Sequence, residues 1–374
     1  MTIRNLLIDR RDPGEFFAPE NLLFSFLADT DAEYRAEICT PDGTPVASRT
    51  VTLADAPGFR FAGLTLLPGR RYRFRVLGGE TAAEAEFETA VAFSAPFITP
   101  ARPVPSPRLE RRFRLPEDAR QLRLAITGLG LYRAELNGKR VGDRYLTPGC
   151  NDYDAYVRFD TYRVDALCLP GEENLLTVEL GDGWYRGRYG IDKEPEAGGK
   201  VWGDAYLCAL MLYEADGGRV LLTGDTAFSA VRSACAESSI YDGEVRDLTR
   251  DAGEPVPCRI ADRQPPAVPL FGAPVRVREV RTPTLLRTPG GAAVLDFGVN
   301  MVGFVRMTAR LPRGTRVTVR HGEVLQDGEF YRDNLRTAKA EAVYVSDGQP
   351  HTYEPYFTFF GFRYAEIEGL ETVD

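Results

Sequence analysis

Histidine is almost missing: His321 and His351 are the only two among 374 residues. That argues against a histidine-rich metal centre and leaves little room for a Ser-His-Asp triad. Cysteine is sparse as well. Cys39, Cys150, Cys168, Cys208, Cys235 and Cys258 contain no C-x-x-C pair, so they read as buried thiols of a reducing compartment rather than a disulfide frame. Positive charge is in deficit, with 46 Lys and Arg against 54 Asp and Glu and a net charge of −8; no nucleic acid partner is expected. No apolar run is long enough to span a bilayer, so no membrane partner is expected either. Residues 1–5 lack the charged-then-apolar pattern of a secretory signal, and the expected location is cytoplasmic. No G-x-G-x-x-G motif lies between a strand and a helix, so no nucleotide cofactor is implied. Convincing helical periodicity longer than about three turns is also absent.

What remains is strands and turns. Glycine and proline, 36 and 26 copies, punctuate short alternating apolar runs, and the fold class is all-β. In residues 1–95, strand candidates lie at 22–27 and 34–38. A Leu67-Pro68-Gly69 turn then leads into Tyr72, Phe74 and Val76, alternating with Arg71, Arg73 and Arg75. Period-two alternation turns the aromatics inward and the arginines to water. Residues 96–107, with Pro96, Pro100, Pro103, Pro105 and Pro107, read as an extended, semi-rigid linker. In residues 108–266, Leu122, Leu124 and Ile126 alternate with Arg123 and Ala125, and Asn137-Gly138 marks a hairpin because both residues tolerate positive φ. About ten strands with long loops fit a jelly roll there. Residues 267–374 hold further alternating runs around Val305–Ala309 and 316–320.

One stretch is unlike the rest. Gly181-Asp182-Gly183-Trp184-Tyr185-Arg186-Gly187-Arg188-Tyr189-Gly190 holds one of only two tryptophans, broken by four glycines. Such density of glycine excludes the middle of a helix or an ordinary strand. Two readings stand: a loop presenting flat faces and donor forks to a ligand, or a core Trp184 beneath a tight bend.

Several blocks in order carry a resemblance. Leu136-Asn137-Gly138-Lys139-Arg140-Val141-Gly142-Asp143, Leu146-Thr147-Pro148-Gly149, Asp182-Gly183-Trp184-Tyr185-Arg186-Gly187 and Ile240-Tyr241-Asp242-Gly243-Glu244 resemble the N-terminal β-sandwich module of bacterial α-L-rhamnosidases (glycoside hydrolase family 78). Leu295-Asp296-Phe297-Gly298-Val299-Asn300-Met301-Val302-Gly303, His321-Gly322-Glu323-Val324-Leu325, the 334–340 segment and Phe360-Gly361-Phe362-Arg363-Tyr364 resemble the concanavalin-like sandwich that follows it; Val299 stands where the family often has Gln. Residues 1–95 resemble a fibronectin type III sandwich. The resemblance implies tandem β-sandwiches: fibronectin type III-like at 1–95, a linker at 96–107, a jelly-roll, carbohydrate-binding-like module at 108–266, and a concanavalin-like sandwich at 267–374.

In that family, inverting hydrolysis of terminal α-L-rhamnose is run by two carboxyls in an (α/α)6 barrel that follows these domains. The sequence reaches residue 374 where that barrel would begin, so the expectation is a non-catalytic front portion, inactive alone, whose partners are a C-terminal catalytic domain and rhamnose-containing carbohydrate. A stand-alone, lectin-like carbohydrate-binding protein is the alternative. Some modules of the family bind rhamnose with calcium. By that likeness Asn151, Asp152, Trp184, Tyr185, Arg186 and Trp202 are carbohydrate-binding candidates, with Arg188 as a further donor, and Asp152 and Asp204 would offer oxygens to Ca2+. Against this, Asn151-Asp152 also reads as a self-bonded turn, Asp204 as a loop cap and Trp202 as a buried residue. A residual enzymatic reading pairs Asp152 with Asp182 or Glu244. His321, at the end of an alternating run, reads as a packed or hydrogen-bonded residue, and His351 as an exposed loop residue.

Overall fold

The structure is a computed structural model and describes residues 1–187 and 202–370. Strands dominate it, and the helical pieces of the described residues are one turn each, at Gly183–Arg186, Asp165–Leu167 and Asp333–Leu335. No described helix is long and apolar enough to cross a membrane. The chain is an all-β series of packed sheets.

The first unit sets the pair Ile3–Ile8 and Phe24–Ala28 against a five-stranded sheet ordered Phe16–Phe17, Thr81–Thr89, Arg71–Gly78, Tyr34–Cys39 and Pro45–Val51. Tyr72, Phe74 and Val76 point into a core with Phe24, Phe59 and Phe61. The alternating arginines face outward as expected, where Arg73 and Arg75 meet Glu86 and Glu84. Such exposed pairs contribute little. The 22–27 candidate begins two residues late, because the Leu23 amide is taken by the Asp9 carboxylate before pairing starts.

The second unit is a twelve-stranded sheet that wraps around its own core. The Asn137-Gly138 hairpin is present, with φ of 53° and 75°, between Leu131–Leu136 and Lys139–Arg140. The expected linker is extended but is no bare connection. Ile98–Pro100 pairs with Val256–Ile260, and Phe97 and Ile98 are buried. An apolar strand inserted between two others is held far more tightly than a solvated proline segment.

Alternation misleads in the strand Leu122–Leu129, where every residue is buried. Leu122, Leu124 and Ile126 face the jelly-roll core, as the pattern implies. The other face is covered by the first unit, so Ala125 packs with Ala90, Ala95, Phe159 and Met211. Arg123 is therefore not in water. It is 5% exposed and its Nε donates to both oxygens of Glu88, at 2.9 and 3.1 Å.

The third sheet runs Cys235–Ser239, Gly243–Asp247, Glu341–Val345, Arg316–Gly322, Phe360–Glu368, Ala293–Gly303 and Thr284–Arg287. Its first two strands come from the last part of the second sequence piece. Gly243–Asp247 pairs parallel to Glu341–Val345, after which Val256–Ile260 returns to the jelly-roll sheet. Residues 108–266 thus do not close on themselves. Gly243 permits the crossing: it sits at φ 116°, and a Cβ there would collide with the Glu341 carbonyl.

His321 is the packed residue its position suggested. Its ring stacks on Phe360 at 3.8 Å, and its Nδ1 meets the Ala340 carbonyl at 3.1 Å. His351 is not a loop residue. It lies in Pro350–Tyr353 with its Nε2 2.9 Å from the Asp347 carboxylate. All six thiols are free, and five are buried as expected; Cys150 is the exposed one.

Candidate carbohydrate site

The strand Glu173–Gly181 delivers the glycine-rich stretch to the end of the jelly roll. Gly181 lies flat against Phe357, and Gly183, at φ 54°, lies against Leu131; a Cβ at either would clash. Contrary to the sequence reading, Gly183–Arg186 closes into a single helical turn. The reason is local. The Asp182 carboxylate accepts from Arg186 Nε at 2.9 Å and from Tyr206 Oη at 2.6 Å, cinching residues i and i+4 together. The Asp182 amide donates to Ser238 Oγ at 2.9 Å, tying the turn to the third sheet.

This geometry sorts the candidates. Arg186 is committed to Asp182, its guanidinium 3.9 Å above the Tyr206 ring and its side chain only 11% exposed. Tyr185 is core, with its ring 5.1 Å from that of Tyr153. Asn151 is spent on its own loop. Its Oδ1 accepts from the Arg158 amide at 3.1 Å and Arg158 Nε at 2.9 Å, while its Nδ2 donates to the Gly149 carbonyl. Three of the four hydrogen bonds open to such an amide are thereby made, with both acceptor positions used and one N–H left over. Tyr185 is thus buried, the Asn151 carbonyl is taken by its own loop, and Arg186 Nε is paired with Asp182 while its Nη1 has no partner among the described residues.

Trp184 and Trp202, like Phe93, are half-buried aromatics packed on a buried cluster that includes Tyr153 and Tyr185. Trp202 lies 5.6 Å from Tyr153, ring to ring, and Gly203 lets the backbone pass close to Tyr185 Oη. Asp152 and Asp204 are exposed beside this cluster in the chain. The Asp152 carbonyl accepts from the amides of Ala155 and Tyr156, making the turn foreseen for it, while its carboxylate stays at the surface. Among the described residues no three His, Cys, Asp or Glu side chains gather as a metal-binding group. Arg188 lies outside the described residues.

Sequence reasoning missed Arg263. Its guanidinium lies 5.7 Å from the Tyr185 ring centre, and it donates to the carbonyls of Trp202 and Tyr153. An isolated arginine in an irregular segment carries no periodic signal that would mark it.

In the residual acid pairs, both partners suggested for Asp152 are already engaged. Asp182 is bound to Arg186 and Tyr206, as above. Glu244 is buried, pairs with Arg246 at 3.0 Å, and accepts from the Tyr356 and Phe357 amides, both at 2.8 Å. Burial pushes its carboxyl above the usual range, partly offset by Arg246 and these amides. On the other side Arg246 pairs with Glu179 at 3.1 Å. Burial would raise Glu179 too, but the Arg246 charge and hydrogen bonds outweigh it and hold that carboxyl below its ordinary value.

Residues 117–256 match the α-L-rhamnosidase N-terminal domain, and residues 286–374 match the bacterial α-L-rhamnosidase concanavalin-like domain. The chain belongs to the bacterial α-L-rhamnosidase family. An α-L-rhamnosidase of Streptomyces avermitilis is 37% identical over 279 residues, covering 70% of this chain. One from Formosa agariphila is 30% identical over 283 residues, also covering 70%. The chain spans 27% and 30% of those two relatives, respectively, and holds the N-terminal and concanavalin-like domains of such an α-L-rhamnosidase. Among solved structures, the Dictyoglumus thermophilum α-L-rhamnosidase covers all of this chain at a TM-score of 0.83 and 24% identity, the match taking 48% of that protein. The Streptomyces avermitilis enzyme complexed with L-rhamnose gives a TM-score of 0.84 at 20% identity, over all of this chain and 56% of that one. At these identities the structural likeness of the rhamnosidase chains speaks for the fold.

Proposed function

We propose that this α-L-rhamnosidase portion serves an enzyme that hydrolyses terminal α-L-rhamnose, framing a catalytic domain carried elsewhere and doing no bond-breaking itself. The observation that carries this reading is the commitment of its best-placed acids. An inverting pair needs two carboxyls about 6.5–9.5 Å apart with a water between one of them and the sugar, whereas Asp182 and Glu244 are bound to arginines and backbone amides. The purified chain should therefore show no turnover of an aryl α-L-rhamnoside above buffer. Turnover abolished by Glu244→Gln would overturn the assignment.

The same portion takes up rhamnose at the rim formed by Trp184 and Trp202. An indole face suits the C–H surface and methyl group of a deoxysugar, and Asp152 and Asp204 supply oxygens for a calcium ion shared with its hydroxyls. Supporting this are the partial exposure of both indoles on a rigid aromatic base and the two exposed carboxylates next to it. Calorimetry should show heat of rhamnose binding that is lost on chelating calcium. Trp202→Ala should weaken binding about tenfold, the equivalent of ~1.4 kcal/mol. No heat with or without calcium would leave the framing role alone.

A further inference from the structure

Where the first unit meets the second, a small recess, partly open to solvent, has Arg11, Thr161 and Arg144 on its wall beside Phe16, Phe159 and Leu270. Arg11 is only 6% exposed although it carries a full charge. One of its amino groups donates to the Leu270 carbonyl at 3.1 Å, and the guanidinium lies 4.5 Å from the Phe17 ring centre. Its Nε has no partner, and among the described residues no carboxylate forms an ion pair with it. The two acids that act on it through space are engaged elsewhere. Glu15 is bound by Arg144 and Arg276, and Asp9 accepts the Leu23 amide. Arg144 is matched on its other side by Asp160.

The hydroxyl of Thr161, 3% exposed, interacts with the buried Tyr213 hydroxyl beside it, and among the described residues neither reaches a protein partner at full hydrogen-bonding geometry. A buried donor left unmade costs free energy, and a buried cation without a counter-charge costs more. Arg11 Nε and the Thr161 hydroxyl, from the two units, thus line one partly open recess in which neither finds a full protein acceptor, although another amino group of Arg11 has the Leu270 carbonyl. Its walls are largely aromatic and aliphatic, so a charge placed there is weakly screened. An acceptor with negative charge answers both deficits, whereas a water answers only the first.

We infer that this recess binds one small monovalent anion of chloride size, held by Arg11 and the Thr161 hydroxyl, which supplies the missing counter-charge and ties the first unit to the second. The site is separate from the rhamnose rim, and its test does not depend on that rim. In crystals of the chain soaked in sodium bromide, an anomalous peak is expected at hydrogen-bonding distance from Arg11 Nε. In solution, the melting temperature in sodium chloride should exceed that in sodium gluconate of equal ionic strength by about 2 °C, as binding to the folded state requires. Arg11→Met should erase that difference. Thr161→Val, which keeps the charge and the volume, should reduce it and remain folded even if the first variant does not. A recess filled by water alone in the bromide-soaked crystal, or identical melting in the two salts, would overturn the proposal.

Discussion

Replacing Arg246 with Met is expected to cost about 3–5 kcal/mol of stability, the range for breaking a buried ion pair from one side. Arg246 stands between two buried carboxylates, Glu179 on the jelly-roll strand and Glu244 on the strand that crosses into the third sheet. Its guanidinium also lies 4.3 Å from the Tyr356 ring centre, while Arg133 covers the same ring at 4.0 Å. Both carboxylates and Arg246 are less than a tenth exposed. Without the arginine, two like charges remain buried with only amide and hydroxyl partners. One must then take a proton, or the seam between the sheets must open to water. Urea unfolding followed by circular dichroism would measure the loss, and adding Glu179→Leu should recover part of it by removing one stranded charge. If Arg246→Met leaves the midpoint unchanged, the triad does not hold the two sheets together.

The second large effect comes from His321 and depends on pH. Burial lowers its imidazole from 6.5 to about 3, opposed by its hydrogen bond to Ala340, and its Nε2 has no partner. Between those values the unfolded chain binds a proton that the folded chain refuses. The histidine's contribution is thus full above about pH 6.5 and is lost progressively as pH falls towards 3. From pH 7 to pH 5 the expected loss is about 2 kcal/mol. His321→Leu should flatten that part of the stability profile, whatever it costs at neutral pH. A wild-type profile that is level over this interval, or a variant profile with the same slope, would contradict the assignment.

Some of the candidate site was legible and some was not, for reasons that differ residue by residue. Trp184 and Trp202 stood out because rare aromatics among glycines mark a place where backbone and ring geometry are constrained together. Tyr185 and Arg186, in the same stretch, could not be told from them: whether a neighbouring side chain turns outward depends on the Asp182 cinch, and that involves Tyr206, 24 positions away. Asn151 looked like a ligand because a loop amide next to an acid offers oxygen. Its actual partner, Arg158, comes from the start of the next strand and takes that oxygen twice. The pairing of Glu244 with Glu179 through Arg246 spans 65 residues between its outer members, a separation over which sequence periodicity says nothing.

By itself the sequence determined what is local. Alternation set which side chains of a strand share a face, as at Tyr72, Phe74 and Val76; Asn137-Gly138 set a hairpin; the want of helical periodicity set the fold class. Tertiary structure alone decided what covers a strand's second face, which buried Arg123, and which sheet a strand joins, which sent Gly243–Asp247 out of the module that surrounds it in the chain. The physical reason is that backbone and turn preferences act between neighbours, whereas burial and strand pairing depend on surfaces brought together only once the chain has folded.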